Sequence, residues 1–131
     1  EHEVDLIMVP VNYGDQYTYG FDRKVLPVAC RHDVGIAAMK VYGGAITMHY
    51  DTPMPSAISA KGPVDYEHAM RWALEQAGVA IAVIGVFSRK ELEQNVRWAH
   101  RIQSLTVDEL QALDVAGKTL SDEWGEHFGP R

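Results

Sequence analysis

Cysteine is nearly absent from this sequence: Cys30 is the single one in 131 residues. That excludes an intrachain disulfide and any thiolate cluster. Long apolar runs are also missing. VAIAVIGV at 79–86 is among the longest, far short of the roughly 20 residues that cross a bilayer as a helix. Positive charge is in deficit, with 12 Lys and Arg against 18 Asp and Glu and a formal net charge of −6. A general surface for nucleic acid or anionic membrane is thereby excluded, although a local basic pocket is not. No basic-then-apolar leader precedes the first structured segment, so a cytoplasmic protein is the expectation. The chain opens on Glu1 rather than Met, which suits a processed chain or a piece of a longer one. The six histidines are scattered, no pair having zinc-type spacing on a defined element, so no metal site is expected. Neither a G-x-S-x-G elbow nor a Walker-type loop is present.

What is present is enough apolar sequence, 47% of residues, for the core of one domain, taken as 1–131. VDLIMVPV at 4–11 reads as a buried strand whose ladder stops early at Pro10. A polar, tyrosine-bearing loop follows, NYGDQYTYG at 12–20. Residues 21–32 read as a helix with Phe21, Val25, Val28 and Ala29 on one face and a kink at Pro27. VGIAAMKVY at 34–42 reads as a second strand ended by Gly43 and Gly44. An irregular stretch at 45–63, with Pro53, Pro55 and Pro63, is long enough to be a lid or a mobile segment. Tyr66, Met70, Ala73, Leu74 and Ala77 then form a helical stripe, with Gly78 placed to cap its end.

Residues 79–86 read as strand three, and Ser88 with Glu91 as a capping box opening a helix striped by Leu92, Val96 and Ala99. Thr106 with Glu109 is a second box, opening a last helix through Leu110, Leu113, Leu120 and Trp124. The order is β-α-β-α-β-α plus one helix. No strand alternates polar with apolar, which predicts an α/β fold of parallel βα repeats buried on both faces. In such folds ligands bind outside the C-terminal strand ends, which singles out 12–19, 40–44 and 85–90.

The junction at 85–95 carries most chemistry. A helix N-terminus offers free N–H groups and a positive dipole end, and Arg89 and Lys90 add charge, which favours an anion and makes the junction a candidate phosphate site. Gly85 leaves room for close backbone approach, and Asn95 can hydrogen-bond a nucleobase or face water. A capping box also starts many helices that bind nothing. Lys40 interrupts an apolar strand at its end; it can meet a cofactor, serve as an amine nucleophile, or snorkel to water. Asn12, Tyr13, Asp15 and Tyr17 fit a site or ordinary turn chemistry equally. Trp72 and Trp98 read as packing residues, and His49 and Asp51 fall in the long irregular stretch.

The segments VDLIMVPVNYGD, FDRKVLPVACRHDVGIAAMKVYGG, RWALEQAGVAIAVIGVFSRKELEQNVRWA and LTVDELQAL, in that order from about residue 4 to 124, resemble the C-terminal part of the aldo-keto reductase family. The resemblance implies strands six, seven and eight of a (β/α)8 TIM-type barrel with their helices, hence a partial barrel, which by itself is expected to expose two strand edges and one inner sheet face and so to self-associate or be unstable. It implies NAD(P)H-dependent reduction of aldehydes or ketones. It places Lys40, Gly85, Val86, Phe87, Ser88, Arg89, Lys90, Gln94 and Asn95 about the cofactor, NADPH or NADH. Asn95 matches the family's adenine-contacting asparagine, Gln94 stands where a glutamate is common, and Arg89 or Lys90 would meet a 2′-phosphate. The chain departs from the pattern at Met39 and Lys40, where an aromatic often stacks on nicotinamide. It departs also at Met8, where a glutamine often binds the carboxamide, and at Glu91, where some relatives are basic. The family's catalytic tyrosine, aspartate, lysine and histidine come from the first half of the barrel and match nothing here, so no catalytic residue is assigned. The expected partners are a nucleotide cofactor, a small carbonyl substrate, and either a second copy or a missing N-terminal half-barrel. Two alternatives remain: a non-catalytic nucleotide- or anion-binding or self-associating module, and a Schiff-base enzyme using Lys40.

Overall fold

A computed structural model of the chain describes residues 4–45, 51, 56–58 and 65–130. Most of the irregular stretch, with Pro53, Pro55, Pro63 and His49, lies outside the described residues. Three strands form one parallel sheet in the order β1-β2-β3: β1 Leu6–Pro10, β2 Gly35–Met39 and β3 Val79–Ala82. Parallel neighbours need a crossover connection. Here these are α1 Asp15–Thr18, α2 Phe21–Lys24 and α3 Leu26–Arg31 between β1 and β2, and α4 Tyr66–Leu74 before β3. Helices α5 Arg89–His100 and α6 Val107–Trp124 complete the described chain.

The kink expected at Pro27 is a full break. Pro27 lies in the first turn of α3, where its missing N–H costs nothing, and Val25 between the two short helices has φ −101°. The buried face of α3 is Leu26 and Ala29, whereas Val28 is exposed. Strand three is shorter than the apolar run: β3 ends at Ala82, with one more bond from Val83 N to the Ala38 carbonyl, 2.7 Å. Residues 83–87 are therefore a loop, and hydrophobicity there reflects something other than pairing within this sheet.

On its helix side the sheet is well covered. Val9, Ile36 and Ala38 pack with Leu26, Ala29, Met70, Trp72 and Ala73 in one core. The other side is not. Met8 faces Ala37, which faces Ile81, and side chains paired across parallel strands share a face. On that face Leu6, Met8 and Ile81 are about half exposed, at 52%, 52% and 50%. Burial of both faces, expected from the lack of alternation, is corrected here, while the exposed inner face expected of a partial barrel is found: three strands cannot curl far enough to close, and only Ala37 on the central strand is buried on that side. The stripe of α5 is bare too, with Leu92 and Val96 at 50% and 45%.

Helix α6 is tied down at both ends. Thr106 and Glu109 make the reciprocal capping box, Thr106 Oγ1 accepting from Glu109 N and Glu109 Oε2 from Thr106 N. The same carboxylate receives two bonds from the Arg71 guanidinium on α4, 2.9 and 3.1 Å. Midway, Gly117 lies against the Tyr13 carbonyl, close enough that a Cβ would clash with it. Beside this contact Tyr17 donates to Asp114, and Thr18 and Ser121 share a hydroxyl–hydroxyl bond. Among the described residues no helix is long and apolar enough to cross a membrane.

Candidate functional site

The β3–α5 junction is built as the spacing foretells, with one change. Ser88, in extended conformation, accepts from Glu91 N at 3.2 Å and so caps α5. Glu91 reaches back one residue further than a capping box requires, its Oε2 accepting from Phe87 N at 2.7 Å rather than from the cap's own N–H. The full box expected there is thus corrected, because the chain enters the helix from an extended loop that presents Phe87 N to the carboxylate. Gly85 has open space around it, nothing lying within 4 Å of where a Cβ would stand. Val86, Phe87, Ser88, Arg89 and Lys90 are exposed. Arg89 is held along the helix by Glu93, 2.7 Å, and Gln94 by Arg97, 3.0 Å.

Asn95 is placed by a long-range bond. Tyr42, in the loop leaving β2, donates from its hydroxyl to Asn95 Oδ1 at 3.0 Å. This couples α5 to the loop leaving β2. Tyr42 in turn packs on Tyr66, ring centroids 4.8 Å apart, and burial pushes its phenol well above the usual range.

Asn12 and Asp15 act first as turn chemistry. The Asn12 carbonyl oxygen accepts from Gly14 N and Asp15 N, 3.1 and 2.9 Å, and Asn12 Nδ2 donates to Asp15 Oδ2 and to the Lys40 carbonyl. Both side chains are almost wholly buried, at 1% and 2% exposure. The second oxygen of Asp15 meets His127 Nε2 at 2.7 Å. Nothing in the sequence pointed to His127, three residues past the end of α6. It reaches Asp15 only because α6 returns across the strand exits, where Trp124 wedges against the backbones of Gly14 and Gly43.

Lys40 is brought to this second cluster. It is exposed, in the left-handed region with φ 52°, and held there by Gly43 N bonding its carbonyl at 2.7 Å. Its ammonium lies 3.8 Å from the centre of the Phe128 ring. Tyr13 and Tyr17 are poor proton donors near neutral pH. Burial first, then the Asp65 charge, pushes Tyr13 up to about 12, and burial with the Asp114 bond does the same to Tyr17. A shallow surface depression lies beside Asn12, Phe21 and Trp72 and includes Asp22, which burial pushes up; residues 85–95 do not line it.

These features define a parallel α/β sheet with helices, the architecture of a partial (β/α) barrel whose strand exits carry the polar residues. No family model matches the sequence, and no curated protein does. Among solved structures the chain is similar to the aldo-keto reductase AKR11C1 from Bacillus halodurans in its apo form, with a TM-score of 0.57 and 17% identity. The likeness covers 85% of this chain and 42% of that one, so this chain spans under half the length of its structural neighbour. At that identity what is shared is the fold.

Proposed function

We propose that this chain is the cofactor-holding part of an NAD(P)H-dependent reductase of aldehydes or ketones, working in the cytoplasm. The observation that carries the reading is the exposed, Ser88-capped start of α5 immediately beyond β3, flanked by Arg89 and Lys90 and open above Gly85. A helix N-terminus on that edge of a parallel sheet favours phosphate. The fold shared with an aldo-keto reductase supports the same assignment. The adenosine end of the cofactor fits these residues: Ser88, Arg89 and Lys90 would hold the phosphate, with Asn95 at the base. NADPH is favoured over NADH because two cations follow the cap, although Glu91 comes next in the same turn. The bound nicotinamide would supply hydride. This chain contributes binding and orientation, and the proton donor comes from barrel strands outside it.

A fluorescence titration with NADPH and NADH tests the reading. Saturable binding, tighter for NADPH and weakened by Lys90→Glu, is expected; no binding of either nucleotide rejects it. The bare inner face favours a second reading, a partial-barrel module that associates with another copy. Carbonyl-independent nucleotide binding together with a stable dimer would select that one.

A further inference from the structure

The starts of α4 and α6 meet around one imidazole. Asp65 caps α4, its Oδ1 accepting from His68 N at 3.1 Å and meeting His68 Nδ1 at 2.7 Å. On the other side of the ring, Nε2 lies 3.3 Å from Oε1 of Glu109, which belongs to the capping box of α6. The ring is mostly enclosed, with 22% of the side chain exposed. A neutral imidazole carries one N–H. Given to Nδ1, it serves Asp65 and turns the lone pair of Nε2 toward a second carboxylate; given to Nε2, it sets a lone pair against Asp65. Only the charged ring, with two N–H groups, suits both neighbours.

We propose that His68 is a proton-operated brace between α4 and α6, drawing the two helix starts together when charged and loosening the joint when neutral. The Arg71 fork on Glu109 keeps the joint closed in either state, so the brace grades its strength and does not open it. Of the groups that meet around it, His68 is the one that changes charge near neutral pH. Burial works to raise the Asp65 carboxyl, but bonds from the His68 ring and backbone outweigh it and hold that carboxyl below its usual range. Glu109 is held at about 2, by Arg71 first, and a guanidinium keeps its charge throughout. Tyr13, after β1, and Tyr42, after β2, feel the Asp65 charge, yet burial above all keeps both phenols protonated there. A histidine favoured in its charged form stabilises the fold at low pH, and that contribution is lost as pH rises through its titration.

Urea unfolding of the parent chain, His68→Gln, Glu109→Gln and the double variant, at about pH 5.5 and about pH 8.5, tests the brace across the range in which imidazole titrates. At the lower pH, the drop in midpoint on His68→Gln should be larger with Glu109 present than with it replaced. This excess should at least halve at the higher pH. Asp65→Asn keeps a good helix cap and removes one of the two charges; its deficit from the parent should likewise narrow as pH rises. That variant carries the test should His68→Gln fail to fold. An excess that is the same at both pH values, or none at either, overturns the brace, as does an Asp65→Asn deficit independent of pH.

Discussion

Glu109 shows how much one side chain can organise in a small sheet protein. It caps α6, accepts both bonds of the Arg71 fork, and lies 3.3 Å from His68 Nε2. The Arg71 bonds first, and the Thr106 N–H next, hold its carboxyl down at about 2, against an ordinary 4.5. A depressed carboxyl stabilises the fold at pH values above its unfolded pKa, and that contribution fades as pH falls from about 4.5 through about 2. Glu109→Gln should therefore lower the urea midpoint near neutral pH, and the gap from the wild type should close across that acid window. A gap independent of pH would contradict the assignment. Arg71→Lys should lower the melting temperature nearly as much as Arg71→Ala. An ammonium cannot reproduce the fork that also serves the carbonyls of Gln103 and Ser104. The cap was legible as Thr106 three residues before Glu109, but Arg71 was not, since nothing local ties positions 38 apart.

At the scale of elements, the meeting of α1 and α6 turns on Gly117. In an exposed helix, Gly→Ala stabilises by about 1 kcal/mol. Here the added Cβ would press on the Tyr13 carbonyl, so Gly117→Ala should destabilise by about 1–3 kcal/mol in equilibrium urea unfolding. Helix α5 depends instead on the Tyr42–Asn95 bond and on the half-buried Trp98. Asn95→Ala should speed amide exchange along α5 while leaving α4 unchanged; equal exchange in both helices would mean that the bond anchors nothing. Several features could be read from local chemistry: the interruption at Pro27 and the Ser88 and Thr106 caps; the end of β2 could not, since that strand stops at Met39 and not at Gly43. The length of strand three could not. The run at 79–86 is apolar throughout, yet the ladder ends at Ala82, because pairing depends on a neighbour that hydrophobicity alone does not supply. His127 and Phe128 were equally hidden, since their roles depend on where α6 brings the chain back.

As a whole molecule, the chain has a finished side and an unfinished one. Leu6, Met8 and Ile81 on the inner face, and Leu92 and Val96 on α5, are each about half exposed. Covering them would gain roughly 1 kcal/mol per side chain, and among the described residues both outer strands, β1 and β3, lack a second neighbour in the sheet. Sedimentation at micromolar concentration should find self-association, relieved by Met8→Lys with Ile81→Lys; a compact monomer in the parent chain would contradict this. The parallel βα order was legible because the strands run apolar without alternation. The exposed inner face was legible only through the resemblance to three strands of a barrel, since an apolar run by itself looks the same whatever packs on it.

The proposed nucleotide site is tested most directly by hydrogen exchange with and without saturating NADPH. Slowed exchange at 85–92 is expected, with the α5 start most protected and α6 unchanged. Protection confined to other segments, or none at all, would contradict cofactor binding at this junction.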